Sequence, residues 1–91
     1  MQPDYDMLPS HMREGTRRYI EEGVEPGQFT VAVFANDFLG AAGRADENNS
    51  MVLRAWALFI YNEVPGNCHG SYDKVAAWIK QGGLQRAGAE R

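Results

Sequence analysis

Apolar residues recur along this chain at helical spacing in several stretches. In the first, Leu8, Met12, Tyr19 and Ile20, with small Gly15 or Thr16 between them, fall on one stripe. The pattern predicts a helix from about Pro9 to Glu22. Proline suits a first helical turn because its missing N–H is not needed there. Glu14 stands four residues before Arg18, the better order for a surface ion pair. Gly23 accepts the left-handed conformation that stops a helix, and Val24-Glu25-Pro26-Gly27 reads as a turn.

The second stretch, Phe29 to Ala42, opens with strand formers, Phe-Thr-Val-Ala-Val-Phe. Its apolar character then continues too far for an ordinary strand, which favours one buried helix, weakened at its end by Gly40 and Gly43. Asp46 can cap a third helix with Glu47 in its first turn, running to about Glu63, where Pro65 forbids continuation. Met51 to Ile60 is apolar on nearly all sides, the mark of a central helix. After a loop over Gly66–Gly70, Ser71 caps a fourth helix with Asp73 in its first turn. Val75, Trp78 and Ile79 form its buried face, and Gly82-Gly83 ends it. The expectation is an all-α fold, a small compact domain of about four helices packed around an apolar third helix. Residues 8–84 form that single domain, between a flexible polar lead at 1–7 and a flexible tail of small and charged residues at 85–91.

Composition narrows this little. The chain has 91 residues, 44% hydrophobic and 23% charged, which fits one globular domain rather than a disordered segment. Net charge is −3, and a nucleic-acid binder usually carries a basic stripe, so direct DNA or RNA binding is not expected. The basic spot at Arg13, Arg17 and Arg18 is interleaved with Glu14, Glu21 and Glu22 and reads as a solvated helix face. A single cysteine, Cys68, rules out a disulfide within the chain and fits a reducing, cytoplasmic setting. The polar, acidic opening lacks the basic start and apolar run of a signal peptide. The longest apolar stretch, Ala55 to Tyr61, is far below the ~20 residues that span a bilayer.

Candidate chemistry is sparse. A thiol beside an imidazole at Cys68-His69 suggests a nucleophile pair, but adjacent loop residues seldom face each other and no orienting third group is identifiable. Cys68, His69 and distant His11 cannot supply the four ligands of a zinc cage. Asp37, Asp46 and Glu47 follow no carboxylate-metal pattern, and no phosphate loop is present. The expectation is therefore no cofactor, no metal and no catalysis. Three polar spots remain: Asn36-Asp37, the turn bearing Arg44, Asp46 and Asn49, and Asn62-Glu63. They satisfy neighbouring groups, or else Asp37, Arg44 and Asp46 border one polar surface used for a partner.

Pro26-Gly27-Gln28-Phe29, Ala32-Val33, Asn36-Asp37, Gly43-Arg44-Ala45-Asp46, Asn49, Tyr61-Asn62-Glu63 with Pro65, Cys68, Gly70-Ser71, Trp78 and Gly82-Gly83 together resemble a family of small uncharacterised proteins of bacteriophages and prophages. Leu8-Pro9 and His11-Met12-Arg13 match its usual opening. The resemblance covers most of Leu8 to Leu84 and departs at His69, where such proteins tend to carry an aromatic. It implies a phage-linked role in the bacterial cytoplasm and supplies no activity or catalytic residues. Short accessory phage proteins often bind host machinery, including defence complexes such as CRISPR effectors. The expected function is therefore stoichiometric binding to a host protein or protein complex, as an anti-defence, anti-CRISPR-like inhibitor. The negative charge would steer it to the basic grooves of nucleic-acid machinery. The rival readings are a nucleotide-binding sponge using Arg17, Arg18 and Tyr19 across an oligomer interface, and a phage structural or assembly component. Whether the chain forms a homo-oligomer is left open.

Overall fold

Helix α1 (Ser10–Glu22) starts directly after Pro9 and stops at Gly23, whose φ of 74° is left-handed. A computed structural model of the protein describes residues 3–47, 49 and 52–84. Four further α-helices follow among these residues: α2 (Gln28–Phe34), α3 (Phe38–Arg44), α4 (Leu53–Glu63) and α5 (Tyr72–Gln81). Short 3₁₀ turns occupy Tyr5–Met7 and Gly66–Cys68. The all-α class expected from the sequence is what the chain adopts.

The segment read as one helix over Phe29–Ala42 is two helices meeting at a corner. Asn36 adopts a left-handed φ of 62°, a conformation asparagine tolerates better than most residues. Its N–H donates to the Val33 carbonyl at 3.2 Å and the Asp37 N–H donates to the Ala32 carbonyl at 2.9 Å. That pair of bonds is the Schellman closure of a helix. The Asp37 carboxylate then accepts the Gly40 N–H at 2.9 Å and caps α3. Asn36-Asp37 thus ends one helix and starts the next, which a periodicity argument reads only as a polar interruption.

The third predicted helix also changes. Asp46 caps a separate short turn, accepting the Asn49 N–H at 2.7 Å, and α4 begins only after Val52, whose backbone is not helical. Nor is α4 buried all round: Trp56 and Phe59 are buried, but Arg54, Ala57 and Tyr61 are exposed. The most buried helix is α2, with Phe29, Thr30, Ala32 and Phe34 inside. It touches α3, α4 and α5. The centre of the domain therefore lies at α2 and the inner face of α4.

Edge-to-face aromatic pairs dominate that centre: Tyr19 on Phe34 at 4.9 Å, Phe29 on Trp56 at 5.5 Å and Trp56 on Phe59 at 6.5 Å between centroids. Each polar tip finds a partner. Trp56 Nε1–H donates to buried Asn49 Oδ1 at 2.9 Å, and the Tyr19 hydroxyl donates to the Cys68 carbonyl. Trp78 Nε1–H reaches the Tyr19 and Ile20 carbonyls at 3.0 and 3.1 Å, fastening α5 to the end of α1. The same two helix ends cross at Gly23, Gly82 and Gly83, where a Cβ on Gly23 would stand 2.7 Å from the Gly82 backbone.

Residues 4 and 5 of the lead make contacts across the fold. Tyr5 packs on Phe59 at 5.8 Å and donates its hydroxyl to Glu21 at 2.8 Å. The Asp4 N–H donates to the Glu63 carboxylate at 2.8 Å. An apolar ring and two long-range hydrogen bonds offset the ordering cost that a polar segment would otherwise avoid. The expected tail at 85–91 lies outside the described residues.

Candidate partner-binding groove

The corner at Asn36-Asp37 opens a groove between α3 and α4. Its volume is about 470 Å³, and Val33, Ala41, Trp56 and Ile60 are among the apolar side chains that line it. Phe38, the first residue of α3, and Tyr61, near the end of α4, border it and stand 71% and 85% exposed. Leu39, beside Phe38, is 81% exposed. Scattered apolar residues on a surface are ordinary, but large ones gathered at a preformed apolar groove mark interaction sites.

Local sequence explains these exposures. Because Asp37 caps α3, Phe38 and Leu39 fall in its first turn, where Phe38 shares the groove face with Ala41 one turn on and stays uncovered. On α4, Trp56 and Phe59 set the inner direction, and Tyr61 lies about 140° around the helix from Trp56 and further still from Phe59. Packing inside the domain cannot cover both directions.

Polar groups rim the groove. Asp37 accepts from the Gly40 N–H and from the Tyr72 hydroxyl. The Tyr72 bond first, then the Gly40 N–H and the charge of Arg44, hold its carboxyl below the usual aspartate range. The same bond pushes the Tyr72 hydroxyl up. His69 also lines the groove, and desolvation and then the nearby Lys74 charge lower its pKa. Because Asp37 ionises more easily folded than unfolded, its contribution is present above the unfolded aspartate pKa and is lost as pH falls through the folded value. Acid titration of the melting temperature is expected to show a loss below pH ~4 that Asp37→Asn reduces. An identical acid profile in the variant would show that the cap adds nothing.

Of the three residues singled out as a partner surface, only Asp37 lines this groove. Arg44 and Asp46 line a second cleft of about 370 Å³. There Asp46 Oδ2 meets His11 Nε2 at 2.9 Å. Arg44 donates to the Gly40 carbonyl at 3.3 Å, so it and Asp37 flank the same glycine from different clefts. Each of the three carries a local structural bond: Asp37 and Arg44 both flank Gly40, and Arg44 shares its cleft with Asp46.

No family model, curated protein or solved structure matches this chain. The remaining chemistry must be read from the geometry alone. Cys68 is buried, its S–H donates to the Pro65 carbonyl at 3.2 Å, and burial pushes the thiol up to about 12. At neutral pH it is a protonated thiol, whereas a nucleophile needs a thiolate. Arg17 and Arg18 are held by Glu14, with Arg17 also reaching Glu21 and Glu22, and Tyr19 is fully buried. Among the described residues, no three His, Cys, Asp or Glu side chains are grouped as a metal site would need. No helix among them is long and apolar enough to cross a membrane.

Sequence reasoning missed Phe38, Leu39 and Tyr61 as surface residues. The usable signal was Asn36-Asp37: read as a helix stop followed by a cap, it would have turned Phe38 and Leu39 outward.

Proposed function

We propose that the protein acts by stoichiometric binding to another protein, which it takes into the groove between α3 and α4. The observation that carries this reading is the exposure of Phe38 and Tyr61 at an apolar groove already formed in the folded chain. Covering a large apolar side chain gains about 1.5–3 kcal/mol, so these residues offer binding energy that the fold itself leaves unused. Aromatic anchors in a preformed pocket are the usual hot spots of protein interfaces. Buried Cys68, its S–H bonded to the Pro65 carbonyl and its thiol pushed up by burial, supports a binding role over nucleophilic catalysis. The resemblance to phage and prophage proteins supports a host protein of the bacterial cytoplasm as the partner, and inhibition of a host defence complex as the outcome.

Affinity capture from bacterial lysate tests this. The wild-type protein is expected to retain one partner at a fixed molar ratio, and Phe38→Ala with Tyr61→Ala to lose it by at least about tenfold. Equal retention by the double variant would remove the groove from the interaction. The groove volume also falls in the range of small-ligand sites, so native mass spectrometry of the purified protein accompanies the capture. A small molecule bound in place of a protein would overturn the protein-binding reading.

A further inference from the structure

The two faces of the groove carry unequal charge. Arg54 lines it from the α4 side and is exposed, and no carboxylate among the described residues pairs with it. Arg13, Arg17 and Arg18, by contrast, are each engaged by an acidic side chain. Lys74, close enough to influence His69, is likewise without an ion pair among the described residues. The one carboxylate lining the groove, Asp37, accepts the Gly40 N–H and the Tyr72 hydroxyl, and the Arg44 charge acts on it. A chain of net charge −3 thus keeps Arg54, unpaired among the described residues, at its apolar groove.

Shape adds a second constraint. Leu53, Ala57, Ile60 and Tyr61 follow helical spacing along α4, and Phe38 and Ala41 do so along α3. Two helix faces meeting over an apolar floor form the type of groove that accepts a third helix with apolar side chains at i, i+3, i+4 and i+7. The wall from Leu53 to Tyr61 is about 12 Å long, which matches roughly two turns of such a helix.

We infer that the groove's occupant is an amphipathic helical segment of the protein partner, with its apolar stripe between Phe38 and Tyr61 and an acidic residue at its edge paired with Arg54. This rests on the proposed protein-binding role of the groove and specifies the partner chemistry. A basic segment would meet Arg54 with like charge at the α4 wall, while Asp37 already accepts two hydrogen bonds and feels the Arg44 charge. An extended strand is disfavoured because neither wall offers an unpaired row of backbone groups.

A yeast-displayed library of random peptides, sorted against the purified full-length protein, provides the probe. Peptides with helically spaced apolar residues and a flanking Glu or Asp are expected to enrich. Arg54→Glu is expected to weaken them by about tenfold and to enrich basic peptides instead, since a like charge replaces an opposite one. Enriched peptides without an acidic preference, or with affinity unchanged by Arg54→Glu, would overturn the inferred chemistry while leaving the groove reading intact. Peptides that bind Phe38→Ala with Tyr61→Ala as tightly as wild type would overturn the groove reading itself. Failure to enrich any peptide would overturn the helical-segment occupant.

Discussion

Trp56→Ala is expected to unfold the protein or to lower its stability by about 3–5 kcal/mol, the usual cost of deleting a buried aromatic. Trp56 is 1% exposed and stands edge-on to both Phe29 and Phe59, so its removal opens a cavity where α2 meets α4. It also strips the Asn49 side-chain oxygen of its indole donor in a buried setting. A domain of this size has total stability near the low end of the 5–15 kcal/mol range, which such a loss nearly exhausts. Trp56→Phe separates the two effects. It keeps most of the ring volume and is expected to cost about 1–3 kcal/mol for the orphaned amide. Chemical denaturation followed by circular dichroism reads both variants, and a Trp56→Ala midpoint equal to wild type would place the core elsewhere.

The second large effect is expected at the crossing of helix ends. Gly23 and Gly83 both hold left-handed φ, 74° and 71°. A Cβ on Gly83 would lie 2.6 Å from the Gly23 nitrogen, and rigid backbone cannot yield as a side chain can. Left-handed strain alone costs an ordinary residue about 1–2 kcal/mol. With the overlap added, Gly83→Ala is expected to cost about 2–4 kcal/mol, toward the upper end of single substitutions. Gly66→Ala is the control, because a Cβ there meets nothing within 4 Å. Thermal melts showing equal loss in both variants would mean that the crossing is not tight.

Much of this fold was legible in the sequence, and the reasons are local. Gly23 and Gly82 end their helices in the left-handed conformation, and Ser71 caps α5 by accepting the Lys74 N–H at 3.1 Å. These features depend on residues within one turn of each other. The Glu14–Arg18 pair was legible for the same reason. The errors were of another kind. Treating Phe29–Ala42 as one helix ignored that Asn followed by Asp can close one helix and cap another. Treating Met51–Ile60 as apolar on all sides ignored that apolarity does not say which residues find a partner. Trp56 and Phe59 found one, whereas Ala57 did not, and only tertiary packing decides that. Tyr5 finds Phe59 and Glu21 across the fold, contacts that no window of sequence contains.

The site followed the same rule. Charged residues near a turn drew the sequence reading to Asp37, Arg44 and Asp46, yet each makes a bond that shapes the backbone or ties two elements. The exposed aromatics became visible only once the corner at Asn36 was known.

The central claim is that Phe38 and Tyr61 serve a partner and not the fold. The most direct test combines a thermal melt with quantitative capture for one variant, Phe38→Ser with Tyr61→Ser. Exposed substitutions usually change stability by no more than about 0.5 kcal/mol each, which for a domain of this size is a few degrees in Tm. The predicted result is a Tm within about 4 °C of wild type with the stoichiometric partner lost. A variant that melts far lower yet still retains the partner at the wild-type ratio would contradict it.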